Sequence, residues 1–394
     1  MPDGSIQARE LSRTAWDADE LNACASSSLV DPAPQDALPA RALHGRGATF
    51  DPQPRFERQF STPAGDGWEF LGPELSDLPP LPTQLVRDAS RSAISWNDSP
   101  DLGFDRAVNP YRGCEHGCIY CYARPSHAYL GYSPGLEFET RIVFKPDVAA
   151  LLERELSRPG YVPRPMVLGS NTDPYQPVDR TLRLTRAVLE VLERFGHPVS
   201  IVTKSAGVLR DLDILRRMAA RGLVRVWLSV TTLDAGLARR MEPRAATPAR
   251  RLLAVQALAE AGVPAGVLAA PMIPGLNDME LEGILQAARR HGAQHAGYVL
   301  LRLPHELRDL FTAWLHQHVP DRARRVLALV RQTRAGDLND GEFGRRFSGT
   351  GDYAGLLGQR FARAMRQLGF QGRVGLDCTQ FCLPVQAGEQ LSLL

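Results

Sequence analysis

Lysine is nearly missing from this 394-residue chain. Of its 46 basic residues only Lys145 and Lys204 are lysines, and all the others are arginine. Each lysine is therefore a departure from the chain's own habit. Charge of one sign is missing as well. The formal net charge of +2 excludes a polyelectrolyte. No apolar run approaches the roughly 18 to 20 residues of a membrane span. The opening stretch, "MPDGSIQARELSRTAWDADE", has neither a basic start nor an apolar core, so no signal peptide is expected. The expected compartment is the cytoplasm, where thiols stay reduced. Cysteine is scarce, at six residues. Clustered cysteines in that setting point to metal or catalysis before disulfides. What remains is ordinary for a globular protein: 44% hydrophobic and 23% charged residues.

Residues 1–103 hold 12 of the 30 prolines and show no sustained periodicity. Stretches such as "LVDPAPQDALPA" and "LPPLPTQ" read as extended chain, so an irregular N-terminal arm is expected, with residues 44–60 lying along the main domain. From 104 the pattern alternates. Short apolar, often β-branched runs at 164–170, 197–205, 223–232, 263–273 and 295–304 suit strands buried on both faces. Amphipathic helices lie between them: Val148, Leu151, Leu152 and Leu156 repeat at helical spacing, as do Leu184, Val188, Val191 and Leu192. With a first strand just before residue 112, about six strand–helix units fill 104–304. Such alternation implies parallel strands with right-handed crossovers, and a partial (β/α)6 barrel fits better than an open sheet. Chemistry is then expected on loops at the C-terminal ends of the strands. Residues 305–383 turn helical, and 384–394 read as a flexible tail.

The stretch "RGCEHGCIYCYARP" (112–125) packs three cysteines into eight positions, as Cys114-x3-Cys118-x2-Cys121. A structural zinc site closes its shell with four protein ligands, and a cubane cluster usually takes four cysteines. Two readings follow from the residues. His116 or His127 completes a Cys3His zinc site in a non-catalytic nucleic-acid-binding module. Alternatively, three cysteines hold three irons of a [4Fe-4S] cluster and leave the fourth open for a substrate or cofactor.

This spacing, with Tyr120 before the last cysteine, resembles the signature of the radical S-adenosylmethionine (SAM) superfamily. The resemblance implies a [4Fe-4S] cluster on Cys114, Cys118 and Cys121, SAM on the open iron, and an electron donor of flavodoxin or ferredoxin type. Reductive cleavage of SAM would give a 5′-deoxyadenosyl radical that abstracts hydrogen from substrate. It also implies roles for the rim. The second-strand tail "GSNTDPY" supplies Ser170, Thr172 and Asp173, where the superfamily places the group that meets the SAM amino group. Its usual Gly-Gly-Glu is absent, so Thr172 and Asp173 are the expected substitutes. Lys204, after the third strand, would pair with the SAM carboxylate. Ser229, ending the fourth, would bond the ribose or carboxylate. Asn277 is expected to cap the helix after the fifth strand, on a stretch that meets adenine. Tyr120 and Tyr122 would wall adenine or the cluster.

The arrangement "CEHGCIYCYARP … SNTDPYQPVD … VTKS … LSVTT … AAPMIPGLND" is similar to the spore photoproduct lyase-like branch, the SplB-type DNA repair photolyase homologues. That resemblance implies lyase-like chemistry on damaged DNA; RNA, peptide or a metabolite is the alternative substrate. Spore photoproduct lyase returns a hydrogen from a cysteine on the second-strand tail. Asn171 stands there in this chain and has no weak X–H bond to donate. Cys378 and Cys382, in "GLDCTQFCLP", leave two functional readings open: Cys378 as a hydrogen-atom donor, or partial ligation of a second metal. Between 305 and 383 lie 12 arginines against eight acids, among them Arg322, Arg324, Arg325, Arg331, Arg334, Arg345, Arg346, Arg360, Arg363 and Arg366. They suit nucleic-acid phosphates. The last five residues, Gln390 to Leu394, resemble the peptide by which repair proteins dock on the sliding clamp.

Overall fold

The computed structural model describes residues 45–57, 81–372 and 375–384. Cys24, the greater part of the proline-rich arm and the clamp-like peptide Gln390–Leu394 lie outside the described residues.

In chain order the described strands are β1 (Gln84–Arg87), β2 (Ile94–Trp96), β3 (Arg106–Val108), β4 (Tyr111–Arg112), β5 (Arg141–Phe144), β6 (Met166–Leu168), β7 (Val199–Thr203), β8 (Val224–Ser229), β9 (Ala265–Met272) and β10 (His295–Leu300). The larger sheet has the order β10-β9-β8-β7-β6-β3-β2. Six of its strands, β3 and β6 to β10, run parallel in chain order. Helices α1 (Val148–Leu156), α2 (Leu184–Arg194), α3 (Leu212–Ala220), α4 (Pro248–Glu260) and α5 (Leu281–Arg290) lead from each strand to the next. An order that follows the chain without reversal curls the sheet one way and keeps every C-terminal strand end on one rim. This is the six-stranded partial barrel that the alternation implies.

The local causes are plain. In α2, Leu184, Val188, Leu189, Val191 and Leu192 are buried and form one stripe. Helix α4 starts where Thr247 accepts a hydrogen bond from Arg250 N and Pro248 presets the first turn. The β8 strand has five of its six residues buried, as a strand covered on both faces must.

Strands β1 and β2 lie within the stretch read as an arm. They run four and three residues with mostly exposed faces, so neither carries an alternating pattern to detect. β2 pairs antiparallel with β3 at the sheet edge. β1 joins β5 and β4 in a small second sheet. That sheet holds the cysteine loop, because β4 ends just before Gly113 and pairs antiparallel with β5 beyond it.

Helices α6 (Leu307–His318), α7 (Pro320–Gln332) and α8 (Gly351–Gln367) follow the barrel. Phe311, Trp314, Val326 and Val330 pack into an apolar cluster with Ile119, Tyr120 and Met241, so this region braces the cysteine loop. The arginine run is only partly a surface feature, which corrects the sequence reading. Arg334 is buried and donates to the carbonyls of Leu300 and Leu301. Arg345 pairs with Asp340, Arg346 with Asp101 and Arg360 with Glu282. Arg322, Arg324, Arg325, Arg331, Arg363 and Arg366 stay exposed. Among the described residues no helix is long and apolar enough to cross a membrane.

Candidate active site

The cysteine loop is a chain of tight turns. Gly117 N donates to Cys114 O at 3.4 Å, Cys121 N to Cys118 O at 3.2 Å and Arg124 N to Cys121 O at 3.1 Å. Gly117 has φ +66°, which a side chain would strain. Glu139, fully buried, ties the loop down. It pairs with Arg124 at 2.5 Å and accepts from the backbone of Gly47 and Ala48 at 3.0 and 2.8 Å. Residues 45–57 therefore run against the cysteine loop itself. A Cβ on Gly47 would stand 1.8 Å from Gly117 O.

Cys114 and Cys118 are buried and Cys121 is half-buried. Burial pushes the thiols of Cys114 and Cys118 up. Asp173 and the other two cysteines add to it at Cys114. At Cys118 the nearby cations Lys204 and Arg251 work the other way. Metal binding must displace those protons. His116 and His127 turn to other partners. His116 Nδ1 faces Asp173 at 3.3 Å, and His127 Nε2 lies 3.0 Å from Arg141 O. Three free thiols on one loop have the donor chemistry of the three protein corners of a four-iron cluster, although among the described residues no three His, Cys, Asp or Glu side chains are already gathered as a metal site.

The tails of β6 to β9 surround this loop. Asp173 accepts from Thr203 Oγ1 and Lys204 N at 2.7 Å and from Tyr175 N at 2.9 Å. Burial opposes its charge, but His116 and these donors hold its carboxyl at about 2. Its oxygens thus bind the strand tails together. Thr172 Oγ1 donates to Tyr111 O, and Ser170 Oγ accepts from Asn109. Lys204 differs. Its ammonium lies 5.7 Å over the Tyr120 ring, and among the described residues no carboxylate comes within ion-pair distance. A cation in that state beside buried thiols can receive a carboxylate. Ser229 is buried at the end of β8.

Tyr120 meets a network that sequence reading missed. Its hydroxyl donates to Glu242, which also accepts from Thr231 Oγ1 at 2.6 Å and pairs with Arg251. All four residues are buried. Tyr122 is half exposed and its hydroxyl reaches Ser170 O. Arg302 lies 5.4 Å over the Tyr122 ring and 5.7 Å over Phe347.

Two expectations need correction. Asn277 makes no side-chain cap of the following helix. It closes its own turn, accepting from Ile273 N at 2.6 Å and donating to Thr231 O at 2.7 Å and Pro271 O at 3.0 Å. A fully buried amide satisfies its backbone neighbours before it caps a helix. Cys378 does not join the site. Its segment packs on the turns that feed β7 and β8, with Asp377 N donating to Gly222 O and Cys382 N to Phe195 O. Those turns sit at the N-terminal ends of the strands, opposite the cysteine loop, so the donor role read for Cys378 has no geometric support.

A model described as the Radical SAM superfamily matches residues 108–288. An uncharacterized protein of Mycobacterium tuberculosis is 37% identical over 233 residues, covering 59% of this chain and 68% of the relative. An uncharacterized protein of Methanocaldococcus jannaschii is 28% identical over 197 residues, covering 50% of this chain and 71% of the relative. Among solved structures, spore photoproduct lyase complexed with dinucleoside spore photoproduct has a TM-score of 0.51 at 18% identity, over 72% of this chain and 79% of that one. That likeness is one of fold.

Proposed function

The chain belongs to the radical SAM superfamily, and from that premise we propose that it cleaves SAM reductively and acts on nucleic acid. The observation that carries the first part is the set of three thiols on one braced loop, beside Lys204, which among the described residues has no carboxylate within ion-pair distance. Cys114, Cys118 and Cys121 would hold a [4Fe-4S] cluster. When bound, the cluster and SAM supply a 5′-deoxyadenosyl radical.

The chain's own residues do the rest. Lys204 orients a carboxylate at the mouth. Ser229 offers a buried polar contact where the cofactor's polar groups need one. Asp173 keeps the tails of β6 and β7 in register, so Lys204 is held where it stands. The apolar packing of α6 and α7 against Ile119 and Tyr120 keeps water from beneath the loop. An electron donor of flavodoxin or ferredoxin type would deliver the electron.

Two features support the nucleic-acid part. Tyr122, Arg302 and Phe347 form an aromatic and cationic surface at the mouth, of the kind on which bases stack. The fold is shared with a lyase bound to a dinucleoside. Asn171 donates its amide to Ser126 Oγ at 3.3 Å and offers no thiol, so the hydrogen-return step of that lyase is not carried over.

The test is anaerobic reconstitution with iron, sulfide, dithionite and SAM. Iron and sulfide near four each with release of 5′-deoxyadenosine is expected. Cys118→Ala should release none; retained turnover refutes the ligand assignment. Deuterated or ultraviolet-treated oligonucleotides then test the substrate class, by label in the 5′-deoxyadenosine.

A further inference from the structure

A basic pocket on the rim takes no part in the chemistry above. It opens between the tail of β6, the turn after β7 and the link that leads into α4, and holds about 300 Å³. Arg180, Arg244, Arg250 and His116 line it, and no Asp or Glu is among its described lining residues. Arg244 has one acid beside it, Glu115 at 3.2 Å. Arg180 and Arg250 are exposed, and among the described residues neither has a carboxylate within ion-pair distance. His116 is 2% exposed, and its Nδ1 faces Asp173 Oδ2 at 3.3 Å, so its ring is already engaged by an acid behind the pocket wall.

Three arginines lining one concave site suit the oxygens of a phosphate. The lining has no Asn, Gln, Asp or Glu, the side chains that read base edges by paired hydrogen bonds. A contact here would position a strand without selecting its sequence. The pocket admits a protruding oxyanion, whereas the broad acidic face of a folded partner would not enter it. His116 lies between Cys114 and Cys118, so a group seated here lies beside the cysteine loop.

We propose that this pocket seats one backbone phosphate of a single-stranded or locally opened nucleic acid, and so sets which nucleotide reaches the mouth. The inference rests on the nucleic-acid reading above.

The experiment uses the reconstituted full chain and a fluorescein-labelled oligothymidylate. Anisotropy is followed across a salt series for wild type, Arg180→Ala, Arg250→Ala and Arg158→Ala. Arg158 is exposed and precedes β6, at the opposite end of the strands. Each pocket substitution should weaken binding and lower the slope of log affinity against log salt by about 0.7. A mixed-sequence oligonucleotide should lose the same factor. Arg158→Ala should leave slope and affinity alone. Wild-type binding with an unchanged slope in both pocket variants overturns the proposal and leaves the nucleic-acid reading standing. No oligonucleotide binding by wild type at low salt overturns both, while release of 5′-deoxyadenosine is read separately. Inorganic phosphate should compete somewhat better than chloride at equal ionic strength in wild type, and no better than chloride in the pocket variants. Tight capture of inorganic phosphate, with unaltered oligonucleotide binding in the variants, assigns the pocket to a free anion. If the variants instead slow reduction by flavodoxin, the pocket docks a protein. Either result overturns the proposal.

Discussion

His116 Nδ1 stands 3.3 Å from Asp173 Oδ2, and this contact joins the cysteine loop to the tail of β6. Asp173 also receives Thr203, Tyr175 N and Lys204 N. Asp173→Asn puts an amide N–H2 against one of these donors. Hydrogen bonds to a charged group are worth about 1.5–3 kcal/mol each, so a stability loss of that order is expected. The pH dependence gives a second readout. Asp173 is held near 2 against an ordinary 3.8, so its contribution is present above 3.8 and lost as pH falls toward 2. The Asn variant should lack that part of the acid limb. Equal acid limbs in the two proteins would show that Asp173 does not carry the contacts assigned to it.

Glu242 is the second anchor of the loop. Its carboxylate takes Tyr120, Thr231 and the buried Arg251. Glu242→Ala strands a guanidinium that is 1% exposed, at a cost of about 3–5 kcal/mol. Tyr120→Phe removes one donor and leaves Thr231 and Arg251 in place, so about 1 kcal/mol is expected. Chemical denaturation of both variants ranks them. An Ala variant no weaker than the Phe variant would mean that the network does not anchor the loop.

The contrast between these residues shows what the chain reveals of itself. Strands β7 to β9 are legible because burial on both faces leaves unbroken apolar runs. The three cysteines are legible because metal chemistry demands a fixed local spacing. Lys204 stands out against a background of arginine. Glu242 and Arg251 carry no such mark. Each reads as an ordinary charge, and Tyr120 lies 122 positions from Glu242 along the chain. Only the closure of β8's tail over the cysteine loop brings them together, and no periodicity encodes that. Asn277 misled for a related reason. A residue placed to cap a helix was nearer to its own turn's open donors. The spacing of Cys378 and Cys382 was visible, but which end of the barrel they occupy was not.

Gly47 tests how the N-terminal segment supports the loop. Its missing side chain lets Gly47 N reach Glu139 and lets Gly117 O approach within what a Cβ would occupy. Gly47→Ala must push the segment away, because the obstacle is backbone. Overpacking of this kind costs about 1–3 kcal/mol. Thermal unfolding should show that loss, and the reconstituted cluster should bleach faster in air because the loop is less covered. An unchanged midpoint with unchanged bleaching would mean that the segment lies on the loop without bracing it.

His197 carries the clearest pH signal in the barrel. It is fully buried, with Nδ1 3.0 Å from Pro198 O and Nε2 2.8 Å from Tyr161 OH. Burial lowers its pKa from 6.5 to about 4, with Arg106 adding to the effect and the Pro198 contact opposing it. The folded state therefore binds the proton less readily than the unfolded chain. Stability is complete above about 6.5 and falls as pH drops toward 4, by on the order of 3 kcal/mol for this residue. His197→Phe fills much of the same volume but cannot titrate. It should start less stable at pH 7, because Tyr161 loses a partner, and then fall less steeply between 6.5 and 4. Urea midpoints at half-unit pH steps give both slopes. His127 also sits near 4, so wild type keeps a residual slope that His197→Phe should share. If the two proteins lose stability in parallel across that window, the His197 ring is charged in the folded barrel, and its burial does not set the acid sensitivity.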